Sequence, residues 1–135
     1  MILLDTNAVI AGLNDRPKKV ADGIAARMQA GDRIAVSSIV VFELWFGIGK
    51  SRNRQGNIDQ LQRFLAGAIE VLPFDETDAA AAGEVRAALA AHGTPIGPYD
   101  VLIAGQALRH KATLVTANTR EFKRVKGLKV EDWGR

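Results

Sequence analysis

Short apolar runs alternate along this chain with longer segments in which apolar residues recur every three or four positions. Ile2–Leu4, Ile34–Val36 and Thr113–Thr116 are the runs; Ile69–Leu72, ending at Pro73, is a further strand candidate, and Leu128–Val130 a candidate edge strand. Uninterrupted runs this short, rich in leucine and β-branched residues, read as strands buried on both faces of a parallel sheet. Helices are predicted between them. Thr6–Leu13 is one, broken by Asn14-Asp15-Arg16-Pro17. Val20, Ile24 and Met28 mark a second, with Gly31 where a C-cap belongs. Ser37 or Ser38 caps a third that runs toward Gly49, and Ser51–Gln55 is a polar, basic loop. Ile58, Leu61, Phe64 and Leu65 define a fourth. Asp75 and Asp78 form a capping arrangement for a fifth that reaches Ala91 and stops at Gly93. Pro98 suits the first position of a sixth, ending near Arg109. Strands and helices in alternation predict βα units around a parallel sheet. Such sheets carry their sites at the carboxyl ends of the strands.

Composition bounds the reading. The 135 residues are 47% hydrophobic and 24% charged, which predicts one globular domain spanning 1–135 and excludes disordered, collagen and coiled-coil chains. No apolar run reaches the ~18 residues of a membrane span. The opening MILLDTNAVI lacks a basic segment before its apolar residues, so no secretory signal and a cytoplasmic location are expected. The chain has no cysteine and two histidines, His92 and His110, so thiolate chemistry is excluded and a metal would need oxygen ligands. The formal charge of +3 is unevenly spread: Arg109–Lys129 holds seven Lys/Arg and one acid, Glu121. That strip suits a polyanionic partner, or is simply a solvated face.

Several polar residues stand where chemistry is expected. Asp5 directly follows the first strand, as either a helix cap or a ligand. Glu43 is the only charged residue between Ile39 and Ile48, in a helix apolar enough to be buried against its own domain, a partner, or both. It shares a face with Ile39 and Phe46 and needs a cation or donors if buried. Val40, Phe42, Leu44, Trp45 and Phe46 crowd several faces of that helix, which predicts an interface. Asp100 falls at the third position of the helix opened by Pro98, where the helix dipole alone favours an acid. Tyr99 beside it could stack on a base or seal a core edge. Thr116 and Asn118 follow another strand as turn residues or site groups, and Glu121 lies three positions on. A set of like charges at one sheet edge repels itself without a cation, and an oxygen-only site suits Mg²⁺ or Mn²⁺.

Taken together, Asp5-Thr6-Asn7 after a strand, Glu43 in an apolar helix, Pro98-Tyr99-Asp100 opening a helix, and Thr116-Ala117-Asn118 with Phe122 resemble the PIN domain. More narrowly, these motifs and the tail Glu121–Val125, Gly127-Leu128 and Glu131–Trp133 are similar to the VapC ribonuclease toxins of type II VapBC toxin–antitoxin pairs. The resemblance spans Leu4 to Trp133. It implies a three-layer α/β/α sandwich with a parallel sheet of four or five strands. It implies a metal site of Asp5, Glu43 and Asp100 with Mg²⁺ (or Mn²⁺), a fourth site position at Asn118, and supporting roles for Thr6, Asn7 and Thr116. Asn118 is a departure, since many PIN domains carry Asp there. The resemblance further implies an endoribonuclease, a homodimer, and a small VapB-type antitoxin whose arm crosses the active site.

Two other functions fit parts of the pattern. A receiver-type phosphoacceptor domain is also a small α/β fold with acids at strand ends, but it needs an Asp after a middle strand and a Lys after a late one. Here no Asp directly follows Ile34–Val36, and Thr113–Thr116 leads into Ala117-Asn118. A PIN-fold domain without catalysis, binding nucleic acid or protein, is the alternative that the Asn118 departure leaves open.

Overall fold

The computed structural model describes all 135 residues. In chain order the elements are β1 (Ile2–Leu4), α1 (Thr6–Asn14), α2 (Lys18–Gln29), β2 (Ile34–Ser37), α3 (Ser38–Gly49) and α4 (Arg54–Ala66). They continue with β3 (Ile69–Leu72), α5 (Glu76–Ala91), α6 (Pro98–Arg109), β4 (Thr113–Val115), α7 (Thr119–Phe122) and β5 (Lys129–Glu131). All strand pairings are parallel, in the order β3-β2-β1-β4-β5. Leu3 is central, paired with Ala35 on one side and Leu114 on the other. Those three residues are fully buried, which is why the three central strands show no polar alternation, whereas the edge strands β3 and β5 carry exposed charged residues. Helices flank the sheet: α1 packs with α2, α3 and α4, whereas α5 packs mainly on α6. The crossovers from β1 through β2 to β3 carry α1–α4, which pack together, and the return to β4 carries α5 and α6, which pack on each other.

The predicted elements are present, with corrections at their ends. The second strand runs one residue further, to Ser37, the fourth stops at Val115, and the last is Lys129–Glu131 rather than Leu128–Val130. The loop expected at Ser51–Gln55 is shorter, because α4 already begins at Arg54. Ser51 Oγ accepts the Asn53 N–H at 3.1 Å and an Asn57 side-chain N–H at 2.6 Å, which folds the loop into the helix start. Ser37 caps α3 through the Ile39 N–H, while Ser38 accepts the Phe74 N–H and so ties α3 to the chain after β3. Asp75 and Asp78 form a reciprocal capping box on α5, as the sequence predicts. Gly31 and Gly93 adopt positive φ, +83° and +66°, just past α2 and α5, where the left-handed turn suits a residue without a side chain.

Two packing features shape the rest. Gly105 lets α6 approach α5 closely, since a Cβ there would overlap the backbone of Ala82. Beside that contact lies a polar network invisible in the sequence. Asp78 is wholly buried and accepts from Arg109 Nε at 2.6 Å and Gln106 Nε2 at 3.2 Å. Burial alone would raise its carboxyl, but the Arg109 hydrogen bond, the Asp75 backbone N–H and the nearby charges of Arg109 and His110 hold it below the usual value. Arg109 also pairs with Asp75 at 3.4 Å. The basic strip therefore begins after Arg109, whose charge is used inside the fold.

Candidate active site

The strand order reverses at β1. The chain builds outward through β2 and β3, then returns to place β4 on the other side of β1. The crevice beyond the carboxyl ends of β1 and β4 is the expected site in such a sheet. Asp5 follows β1, and Thr116 follows β4, at that point. Asp5 is buried and caps α1, accepting the Ala8 N–H at 2.8 Å. Burial pushes its carboxyl above the ordinary value, and the negative charge of Glu43 adds to that. Hydrogen bonds from the Thr116 side chain and from the Ala8 and Asn7 backbone oppose it.

Glu43 enters from the middle of α3, and its Oε1 accepts the Thr6 hydroxyl at 2.7 Å. Asp100 enters from the first turn of α6 and is half-buried. Its carboxyl is pushed up to about 6, first by burial and then by the charges of Asp5, Glu43 and Glu121. Gly97 precedes it in place of a larger residue. A Cβ there would stand 3.0 Å from Asp100 Oδ2, so the glycine keeps the space around this carboxylate open.

Asn118 does not simply replace an acid. Its Nδ2 donates to Glu121 Oε2 at 2.8 Å, and its backbone N–H donates to Thr116 Oγ1 at 2.9 Å. The fourth carboxylate thus comes from Glu121, one helical turn later, held in place by Asn118. In the sequence Glu121, three positions beyond Asn118, reads either as a further carboxylate or as a first-turn helix acid. Its charge acts on Asp100 across the end of the sheet, which the spacing along the chain does not show. Thr6 and Thr116 support Glu43 and Asp5 respectively. The side chain of Asn7 is exposed, and the residue contributes through its backbone N–H instead.

Asp5, Glu43, Asp100 and Glu121 have no basic partner, because the ion pairs of the chain lie elsewhere. No three acidic or histidine side chains are drawn together tightly enough to coordinate one ion directly. The unpaired groups present are all oxygen donors, the class that Mg²⁺ would take through one or two carboxylates and waters. The helix carrying Glu43 is not buried all round by its own domain. Val40, Leu44 and Ile48 face the core, while Phe42, Trp45 and Phe46 are 52%, 40% and 62% exposed.

A family model, the PIN domain, matches residues 2–128. The chain belongs to the PIN domain family, in its VapC ribonuclease branch. It is 37% identical over 131 residues to the tRNA(fMet)-specific endonuclease VapC of Salmonella typhimurium, covering 97% of this chain and 96% of that one. It is also 37% identical, with the same coverage, to ribonuclease VapC2 of Rickettsia felis. Among solved structures it superimposes on VapBC2 from Rickettsia felis bound to a promoter DNA fragment, with a TM-score of 0.91, 36% identity and coverage of 98% and 99% of the two chains. DNA-bound VapBC from Salmonella typhimurium gives a TM-score of 0.89 at 37% identity, again covering 98% and 99%. The VapC resemblance and the α/β/α sandwich with a five-stranded parallel sheet are thereby borne out. No helix is long and apolar enough to cross a membrane.

Proposed function

We propose that this chain is the toxin of a type II toxin–antitoxin pair and hydrolyses RNA phosphodiester bonds with Mg²⁺, for which Mn²⁺ can substitute. The observation that supports the metal-dependent reading is the gathering of Asp5, Glu43, Asp100 and Glu121 with no basic residue paired to any of them, which with burial raises the Asp100 carboxyl. A divalent cation is the natural counter-charge for such a set.

Asp5 and Asp100 would hold the cation, with Glu43 beside them. Bound there, Mg²⁺ supplies charge neutralisation at the phosphate and makes water a better nucleophile at neutral pH. Glu43 is clamped through Oε1 by Thr6, which fixes its orientation and leaves Oε2 to accept a proton from the attacking water. Asp5 is oriented by the Ala8 N–H and Thr116. Asn118 positions Glu121 rather than acting on the substrate directly. In-line attack by water leaves a 5′-phosphate and a 3′-hydroxyl. Arg120 and Lys123, on and just after α7 beyond the carboxyl end of β4, are outside the ion pairs of the fold and suit the RNA backbone.

Relatives named for tRNA(fMet) make initiator transfer RNA the first substrate to test. A cytoplasmic location follows from that substrate class. A cavity of about 200 Å³ between α1, α3 and α4, lined by Ile10, Leu13, Leu44, Ile48 and Leu61 with Glu43 at its edge, is where a VapB-type antitoxin arm would reach the acids. Purified protein should cut RNA with Mg²⁺ or Mn²⁺ and stop in EDTA, and Asp5→Asn and Asp100→Asn should be inactive. Cleavage undiminished by EDTA would refute the metal-dependent reading. Intact RNA under every metal condition would favour a PIN-fold binding domain without catalysis.

A further inference from the structure

Two exposed aromatic side chains meet at the seam between α3 and α6. Phe42 and Tyr99 pack edge to face, with ring centroids 5.5 Å apart and planes at 60°. They remain 52% and 45% exposed. Each is the chain neighbour of a site acid: Phe42 precedes Glu43, and Tyr99 precedes Asp100. Their contact fixes the rings relative to one another while leaving about half of each to solvent. The other exposed aromatics differ. Phe46 has its ring covered by Lys50, whose Nζ is 4.5 Å from the centroid, and Trp45 follows Leu44 with no aromatic partner.

Unpaired bases of single-stranded nucleic acid are commonly held by stacking on exposed aromatic rings, whatever the base. A phosphodiester placed over Asp5, Glu43 and Asp100 carries a nucleotide on each side. The rings next to two of those acids are the aromatic surface such a nucleotide would meet. Resting on the ribonuclease reading above, we propose that Phe42 and Tyr99 form a stacking platform for an unpaired base beside the scissile phosphate. They are positioning residues: they present the strand to the acids and take no part in proton transfer. The chemistry selects RNA that is single-stranded at the cut, such as a loop, over a duplex whose bases are already stacked.

The test uses Asp5→Asn protein, so that RNA binds without being cut, and single-stranded oligonucleotides carrying 2-aminopurine at successive positions. Fluorescence should be quenched at one or two positions next to the bond that the wild-type protein cleaves. Adding Tyr99→Ala should weaken binding by roughly 5- to 150-fold and abolish that quenching, and Tyr99→Trp should restore both. Removing the base at the quenched position should eliminate the Tyr99→Ala penalty. In otherwise wild-type enzyme, Phe42→Ala and Tyr99→Ala should raise KM more than they lower kcat. The proposal is overturned if no position is quenched, or if the penalty persists on RNA lacking that base. It is also overturned if Tyr99→Ala leaves RNA binding intact while disrupting association between copies or with an antitoxin, which would make the pair a protein interface. RNA that is cut without quenching overturns the platform alone. Quenched binding without cleavage by the wild type overturns the ribonuclease reading alone.

Discussion

Asp100→Asn should make the metal-free protein more stable while removing its activity. The substitution keeps shape but deletes a charge disfavoured first by burial and then by three neighbouring carboxylates. A carboxyl raised from 3.8 to about 6 corresponds to ~3 kcal/mol between its ionised and neutral states. Asp100 is only half-buried, so solvent screening reduces the useful part to about 1–1.5 kcal/mol. Against this, an acid in the first turn of α6 gains about 0.5 kcal/mol from the helix dipole, which Asn forfeits. The net expectation at pH 7.5 is a gain of roughly 0.5–1 kcal/mol, or a Tm increase of about 2–4 °C for a domain of this size. The pH dependence has a definite sign. The folded state holds this proton more tightly than the unfolded chain, so wild-type stability falls as pH rises from about 4 through 6. The difference between wild type and Asp100→Asn should therefore vanish near pH 3.5 and be fully present by pH 7.5. Thermal melts followed by circular dichroism in EDTA measure it. Mn²⁺ should then reverse the order, because saturation at 100 times Kd adds about 2.7 kcal/mol to a protein that binds it. A variant less stable than wild type in EDTA at pH 7.5, or a difference independent of pH, would refute the repulsion argument.

Three further outcomes are expected. Glu43→Gln should fold normally yet lose about two to four orders of magnitude in kcat, read from single-turnover RNA cleavage, because its carboxylate faces the site while its Thr6 contact survives the change. Arg109→Ala should lower the urea unfolding midpoint, since it leaves the carboxylate of Asp78 without its cation, and Arg109→Lys should recover part of the loss. Asn118→Asp should exchange a donor to Glu121 for a second carboxylate beside it. The metal-free protein should then melt lower, and calorimetric Mn²⁺ binding should tighten, particularly for a second ion; an unchanged titration would return Asn118 to a turn-forming role.

The sheet and most helices are legible in the chain because their causes are local. Strands buried on both faces must be apolar throughout, so Ile2–Leu4 and Ile34–Val36 stand out without any neighbour being known. Caps and breakers act within a few residues, which is why Asp75 with Asp78, Pro98 and Gly93 mark helix ends correctly. Asp5, Glu43 and Asp100 are also legible, each as an acid at a strand end or in an apolar or helix-opening context. What only the tertiary structure decided depends on which distant segments meet. Arg109 reads as part of a free basic strip until α6 is laid against α5 and its charge is taken by Asp78, 31 residues away. Glu43 is the sole charge in a helix apolar all round, and the packing of α3 alone shows which of its aromatics face the core and which face solvent. The loss of an acid at Asn118 reads as a missing charge, whereas the fold supplies it from Glu121 and uses Asn118 to hold it. Proton affinity follows the same division. A residue's type sets its ordinary value, but the rise of Asp100 comes from burial and from charges at the cap of α1, on α3 and on α7, groups brought beside it only by the fold.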